Sequence, residues 1–418
     1  MFLTQTNVIR GLTKSEYAML GEMCRYANNL YNVGLYNIRQ HYFNTKTFLR
    51  YESNYHECKT NENYGLLQAG ISQQILRVVD RSFKSYFNLI NKAKSGEYRF
   101  QDIEIPHYRK KGGMFVLILS TNAIAVKNGY FVIPVSREFT KLHGKTNIRI
   151  PFPERLVGKT IKEVRILPVH DGQYFKIQYV FEQDAEPLGL DKSKALGIDL
   201  GVDNFATCVP SSGTPFIIDG RKLKSYNRYW NKQKAYYQSI ADHQKLNGIT
   251  NRISTLNFKR NNKIKDYFRK SARYIINYCI DHNIGTIVVG YNEDFKRNTN
   301  LGKTNNQNFT QIPFGDLREY LSLLCERYDI QYIQQEESYT SKSSYLDKDE
   351  LPVYKAEQPY TGSFSGKRIY RGLYKSADGS FLNADVNGAA NILRKVNGCS
   401  YELPCSGCLA HPLRINFS

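Results

Sequence analysis

Residues 14–43, KSEYAMLGEMCRYANNLYNVGLYNIRQHYF, place Tyr17, Leu20, Cys24, Ala27, Tyr31 and Leu35 three and four residues apart, which predicts a helix with one buried stripe. The same period recurs in QQILRVVDRSFKSYFNLINKA through Ile75, Val78, Val79, Phe83, Phe87 and Ile90, so a small helical region opens the chain. From about residue 104 to 184 the texture changes to short alternating runs, GMFVLILS, NGYFVIPV, TNIRIPF and QYFKIQYVFEQ, broken by Gly, Pro and Asn. That texture predicts an antiparallel sheet or barrel.

Beyond the bridge AEPLGLDKSK, the stretch ALGIDLGVDNFATCVPSSGTPFIIDGRKL predicts two β-rich runs. Residues 221–283 predict two long antiparallel helices with a turn near LNGIT. The second helix ends on Ala272, Ile275, Ile276, Cys279 and Ile280, a stripe that must pack on a sheet. A buried strand, GTIVVG, follows, then a polar Asn-rich loop (292–311), a helix FGDLREYLSLLCERYD and a strand IQYIQQEE. A Gly/Ser/Tyr-rich loop spans 338–380, and FLNADVNGAANILRK closes the pattern as an extended start turning into a small-residue helix.

Charge changes the picture. In 418 residues, 58 Lys and Arg stand against 38 Asp and Glu, a formal net charge of +20. That surplus favours a polyanion, because each neutralised phosphate releases counterions. No run approaches the roughly 18 apolar residues of a spanning helix, and MFLTQTNVIRGLTKSEY lacks the apolar stretch of a signal peptide, so no membrane role and a cytoplasmic, nucleoid-associated location are expected. The 32 Tyr and 22 Phe interleave with Lys and Arg in KSYNRYWNKQKAYYQ, which suits stacking on bases, although most such rings simply fill cores.

Cys24, Cys58, Cys208, Cys279 and Cys325 stand singly in apolar patterns, as reduced buried thiols do. Cys399, Cys405, Cys408 and His411 have the residue types for zinc without a usual spacing, and zinc is not expected there.

Acids at the ends of apolar elements are the chemical candidates: Asp199 in ALGIDLGV, Glu293 after TIVVG, Glu336 and Glu337 after IQYIQ, and Asp385 in NADVNGAAN. In a basic chain they conflict with their surroundings unless they hold a cation. Two-metal phosphodiester cleavage needs such acids converging on a site roughly 4 Å across. Gly388, Ala389 and Ala390 would let a helix lie close to the sheet with Asp385 facing the Asp199 strand, and Asn387 and Asn391 are candidates to fix it.

The order strand-Asp, helices, strand, helix, strand, insert, Asp-bearing helix resembles the ribonuclease H fold of RuvC-like nucleases. The whole chain resembles the TnpB (OrfB) proteins of insertion sequences, relatives of compact type V CRISPR effectors. The motifs that carry the match are LTKSEYAML, NNLYNVGLYNIRQHYF, GIDLGVDNFAT, TIVVGYNEDFKR, NNQNFTQIPF, EESYTSK and NADVNGAANI. The resemblance implies an α+β multidomain protein. Residues 1–12 give the first strand of an antiparallel β-barrel (wedge, OB-like) domain, 13–103 a helical recognition subdomain and 104–190 the barrel. Residues 191–418 give an α/β RNase H-like (RuvC) nuclease domain with a target-nucleic-acid insert at 338–380.

It further implies an RNA-guided DNA endonuclease with a guide RNA and a double-stranded target beside a short flanking motif, using two Mg2+ or Mn2+ ions. The alternatives are a nuclease-dead repressor and an RNA-independent transposase. Asp199 and Asp385 fall on the family's first and last catalytic aspartates, with Asp199 expected to bridge both metals.

Two departures stand out. Many relatives have an acid directly after the apolar strand, where this chain has Gly290, so the middle acid is expected from Glu337 on the neighbouring strand, with Glu293 as the alternative. Many relatives also hold zinc in the insert between two C-x-x-C pairs. Here Ser343, Ser344 and Ser376 stand near those places, serine does not replace thiolate, and a zinc-free loop follows. Nucleic-acid contacts are expected at Lys110 and Lys111 in PHYRKKGG, at Arg221, Lys222, Lys224, Arg228, Lys259 and Arg260 of the basic helices, and at Tyr339 and Lys342.

Overall fold

The computed structural model describes residues 1–292, 307, 310–354, 360–396 and 406–417. These form two units, Met1–Gln183 and Asp184–Ser418.

In the first unit, β1 (Phe2–Val8) precedes α1 (Lys14–Thr45), α2 (Tyr51–Cys58), α3 (Glu62–Gly65) and α4 (Ala69–Lys94). Thr13 starts α1 with a reciprocal capping box to Glu16, which satisfies two of the donors every helix start leaves open. Gly34 lets α4 approach, since a Cβ there would stand 2.7 Å from Leu76 Cδ2. The β elements follow as β2 (Leu117–Ser120), β3 (Ala125–Lys127), β4 (Tyr130–Pro134), α5 (Arg137–His143), β5 (Asn147–Pro151), β6 (Ile161–Val169) and β7 (Tyr174–Glu182). They build two antiparallel sheets, ordered β1-β7-β6-β2 and β3-β4-β5. The sheets meet through Phe131 and Tyr179, edge to face at 5.8 Å. Helices and strands share one core, in which Met19, Leu20, Ile75 and Leu76 pack with Leu117 and Phe175.

The second unit is built on a six-stranded sheet. Its elements are β8 (Asp191–Leu200), β9 (Asn204–Pro210), β10 (Phe216–Asp219), α6 (Arg221–His243), α7 (Asn251–Asp281), β11 (Ile284–Tyr291), α8 (Phe314–Tyr328), β12 (Gln331–Glu336), β13 (Lys367–Tyr370), β14 (Leu373–Lys375), β15 (Phe381–Asn383), α9 (Ala384–Arg394), α10 (Ser406–Ala410) and β16 (Leu413–Ile415). The strand order β12-β11-β8-β9-β10-β16, with β9 antiparallel to both neighbours and β8, β11 and β12 parallel, contains the ribonuclease H arrangement.

Both faces of the parallel strands are covered, as buried parallel sheets require. Leu196, Ile198, Ile287 and Val289 face a core with Ile275 and Ile276 of α7 and Leu317 and Leu321 of α8. Ala195 and Val288 face Ile392 and Leu393 of α9. Gly197 makes that contact possible, because a Cβ there would collide with Leu393 and the Ala389 carbonyl.

Residues 338–380 are not a loop throughout. Lys367–Tyr370 and Leu373–Lys375 form a hairpin that extends through β15 into a three-stranded antiparallel sheet leading directly into α9. The Gly and Ser that suggested an unbroken loop serve its turns, as at Gly372 with φ +90°. Among the described residues no helix is long and apolar enough to cross a membrane.

Candidate active site

Strand alternation decides which side chains meet. Ala195 faces α9, so Gly197 and Asp199 face it too; on β11 the same side carries Val288 and Gly290. Register pairs Ile198 with Val289 and Gly290 with Gln335, so β8, β11 and β12 end at one edge of the sheet. Asp199 lies at the end of β8 and Glu337 immediately beyond β12. Ligands of open parallel sheets gather at this carboxyl edge.

The third acid arrives on α9. Asn383 caps that helix through bonds from the Asp385 and Val386 amides at 3.0 and 3.2 Å, which puts Asp385 in the first turn. Gly388, one turn on, faces Asp199, and a Cβ there would stand 3.0 Å from Asp199 Oδ2. Burial, then the nearby Glu337 and Asp385 carboxylates, push the Asp199 carboxyl well above the usual range, against the pull of Arg368. Burial also pushes Glu337 up to about 6, with Arg318 pulling the other way and Glu336 adding to the rise. All three acids keep part of their surface open.

Glu336 behaves differently. Its burial is outweighed by hydrogen bonds from Lys395 at 2.8 Å and Ser338 at 2.5 Å, which leave its carboxyl below the ordinary value. Lys342, close to Glu337 in sequence, stands over the Tyr339 ring at 5.8 Å. Glu293 lies outside the described residues.

Oxygen-only carboxylate donors suit a hard divalent cation. The raised Asp199 and Glu337 carboxyls are what a cation would relieve, so the residues fit such an ion. Among the described residues no three acids, histidines or cysteines are gathered closely enough to enclose one as they stand. Asp385 is turned onto other partners: Arg368 donates to Oδ1 at 2.8 Å and Asn204 to Oδ2 at 2.5 Å.

Neither Arg368 nor Asn204 was signalled by the sequence pattern. Asn387 and Asn391, by contrast, do not hold Asp385. Asn387 accepts from the Tyr345 amide and donates to the Ser343 carbonyl, and Asn391 donates to the Thr340 and Ser343 carbonyls, so both fasten the insert. Fully buried on the inner face of α9, they answer the backbone groups of a chain segment packed over them.

The insert is held by oxygen and nitrogen. Asp349 accepts from the Ser344 amide at 2.8 Å and from the Ser365 amide and hydroxyl at 3.0 and 2.5 Å. Buried Ser343 donates to the Tyr339 and Glu350 carbonyls, and Ser376 to Asp378. Of the tail cysteines, Cys399 and Cys405 lie outside the described residues.

The basic candidates divide by their partners. Arg221 is paired with Asp219, Lys222 donates to the Phe417 carbonyl at 2.7 Å, and Lys224 pairs with Asp203 at 2.9 Å. Arg260 is embedded between Asn227, the Gln311 carbonyl and the Trp230 ring. Arg228 and Lys259 are exposed. Lys110 and Lys111 are exposed on a segment that Asn28 and Asn32 of α1 fasten through the Lys110 and Arg109 carbonyls. Tyr339 adopts φ +61° and packs against Tyr360 and Phe364.

Comparison with known proteins supplies a frame for this geometry. Residues 178–296 match a family model described as "Probable transposase" (OrfB_IS605). A TnpB-like protein, ORF457 of Acidianus two-tailed virus, is 24% identical over 430 residues, 94% of this chain and 87% of that protein. Among solved structures, Cas12f1 in complex with single-guide RNA and target DNA is similar with a TM-score of 0.58 at 15% identity, covering 91% of this chain and 83% of that one. The mini-RNA-guided endonuclease CRISPR-Cas_phi3 is similar with a TM-score of 0.50 at 10% identity, covering 97% and 94%.

Proposed function

We propose that the chain, which is similar to a TnpB-like protein and matches the OrfB_IS605 model over residues 178–296, is a TnpB-type RNA-guided DNA endonuclease whose second unit hydrolyses phosphodiester bonds. The observation that carries this reading is that Asp199, at a strand end of a ribonuclease H-type sheet, lies against the Asp385-bearing helix at Gly388 and feels the carboxylates of both Glu337 and Asp385. Asp199, Glu337 and Asp385 are the residues that would hold divalent Mg2+ or Mn2+. Bound there, such ions supply an acidified water and charge for the leaving oxygen.

The chain's own residues do the remainder. Asn383 aims Asp385 through the helix cap, Gly388 leaves room for Asp199, and Arg318 tempers Glu337 from α8. The similar Cas12f1 was solved with guide RNA and target DNA, which supports the same two partners here. Base pairing would then read the target sequence, while protein contacts read a short flanking motif and the backbone. The net charge of +20 suits that load.

Gly290 favours one second reading, a chain that binds guided DNA without cutting it. Purifying the protein with its co-purified RNA, sequencing that RNA, and offering a matching plasmid library with randomised flanks in Mg2+ separates the two. Linearised plasmid supports the endonuclease; guided binding without cleavage supports the repressor.

A further inference from the structure

The β13–β14 hairpin brings two guanidinium groups to acids of the sheet. Arg368 pairs with Asp385 at 2.8 Å, and Arg371, at the hairpin tip, pairs with Asp203 just beyond β8. Lys224 reaches the other oxygen of Asp203 at 2.9 Å. The hairpin is itself held in place: Tyr374, opposite Arg368 in the register, is fully buried and donates to the Lys342 carbonyl at 2.7 Å. The Gly372 carbonyl accepts from the Ala384 amide at the start of α9, so hairpin and acid-bearing helix are tied together.

Both oxygens of Asp385 are therefore engaged, one by Asn204 and one by Arg368. The Asn204 bond is neutral and leaves the carboxylate charge in place. The Arg368 bond supplies a full positive charge beside a cluster of acids. A guanidinium and a divalent ion compete for the same carboxylate charge, because each is stabilised by it and repelled by the other.

We propose that Arg368 is a built-in counter-ion of the acid cluster, which balances Asp385 until a divalent ion displaces the guanidinium, with Arg371 steadying the hairpin through Asp203. Arg368 in this role is a positioning residue that acts through Asp385. Its side chain is 43% exposed, so it can leave by a change of rotamer while Tyr374 keeps the hairpin docked. Arg368 also opposes the raised Asp199 carboxyl, so both aspartates feel its charge. The inference rests on the metal-binding reading of Asp199 and Asp385.

The test is Mn2+ binding to the full chain without added nucleic acid, followed by electron paramagnetic resonance, in wild type, Arg368→Ala, Arg368→Lys, Arg371→Ala and Asp199→Asn. A partly exposed ion pair of this kind corresponds to about 1.4-fold to fivefold in affinity. Arg368→Ala is expected to tighten the Asp199-dependent site by that factor. Arg368→Lys keeps the charge and stays near wild type, while Arg371→Ala tightens the site less than Arg368→Ala. The Mn2+-induced rise in melting temperature should follow the same order. Equal or weaker Mn2+ binding in Arg368→Ala, with the site still lost in Asp199→Asn, overturns the counter-ion role and leaves the metal reading standing. No Asp199-dependent Mn2+ site in any variant overturns both.

Discussion

The Glu337 carboxylate occupies the space that a side chain at Gly290 would need: a Cβ built on Gly290 collides with Glu337 Oε2 and lies 2.7 Å from Ile392 Cδ1. Position 290 is the strand end where the resemblance to TnpB proteins implies an acid in many relatives. The glycine and the neighbouring glutamate are thus complementary, one vacating the volume that the other fills. An acid at either position points into the α9 face of the sheet, beside Asp199.

This complementarity predicts a transplant. Glu337→Ala should lower cleavage by more than about a hundredfold, the upper end of what losing an outer-shell partner costs a metal site. Gly290→Glu alone should also be inactive, because two carboxylates and Ile392 compete for one space. The double variant Gly290→Glu/Glu337→Ala should recover activity relative to either single variant. Plasmid cleavage with guide RNA present measures all three, and a double variant no better than Glu337→Ala would remove Glu337 from the role.

Asp199→Asn and Asp385→Asn test the other two acids. Each keeps the shape of the side chain and removes its charge, so guide-RNA affinity should stay within about twofold, while cleavage falls by more than about a hundredfold. Full cleavage in Mg2+ by either variant would sink the proposed site.

Periodicity makes the main elements of both units legible in the sequence, because apolar spacing reports which face a helix or strand buries. The stripe from Ala272 to Cys279 lies on α7 against the sheet, and VVG sits in β11 where its run of apolar residues suggested. The strand ends bearing Asp199 and Glu337 followed from the same pattern. What surrounds them did not follow. Asn204 and Arg368 meet Asp385 across 181 and 17 residues, through a sheet and a hairpin whose register no local spacing encodes. Asn387 and Asn391 looked like neighbours of Asp385 in the sequence, but helical rotation turns them toward the insert.

The raised Glu337 carboxyl sets a pH dependence. Between the ordinary value of 4.5 and about 6, the folded protein holds a proton on Glu337 more often than the unfolded chain does. Stability from this group is therefore greatest at the acid side and falls as pH rises through that window. In metal-free protein, Glu337→Gln should gain stability relative to wild type as pH rises from 4.5 to above 6, and that gap should then level off. Urea unfolding across pH 4.5–7.5 measures it; a gap independent of pH would show that Glu337 has no such burden.

The insert should need Asp349 and not a metal thiolate cluster. Asp349 collects three donors from Ser344, 5 positions before it, and Ser365, 16 positions after it, and so ties together two parts of the insert. Losing them leaves the amide of buried Ser344 unpaired, a cost of about 1–3 kcal/mol, while the exposed Ser365 groups turn to water. Asp349→Ala should raise hydrogen exchange at residues 338–354 and 360–380, while a zinc-selective chelator leaves exchange of the wild-type insert unchanged. Chelator-induced opening would contradict this account.

The basic helices separate charge from architecture. Arg228 and Lys259 are exposed, whereas Arg260 bonds Asn227 and the Gln311 carbonyl and stacks over Trp230 with its guanidinium 5.0 Å from the ring centre. Burial lowers the Arg260 pKa, the mark of a cation committed to the interior of the helical pair. Each of Arg228→Ala and Lys259→Ala should reduce the salt dependence of nucleic-acid binding by about 0.7–0.9 in log–log slope if it neutralises one phosphate, with melting temperature unchanged. Arg260→Ala should do the reverse, lowering the melting temperature through the lost bonds while altering the slope little. A titration of binding against salt, paired with thermal unfolding of the same three variants, distinguishes the two roles, and a slope change confined to Arg260→Ala would invert the assignment.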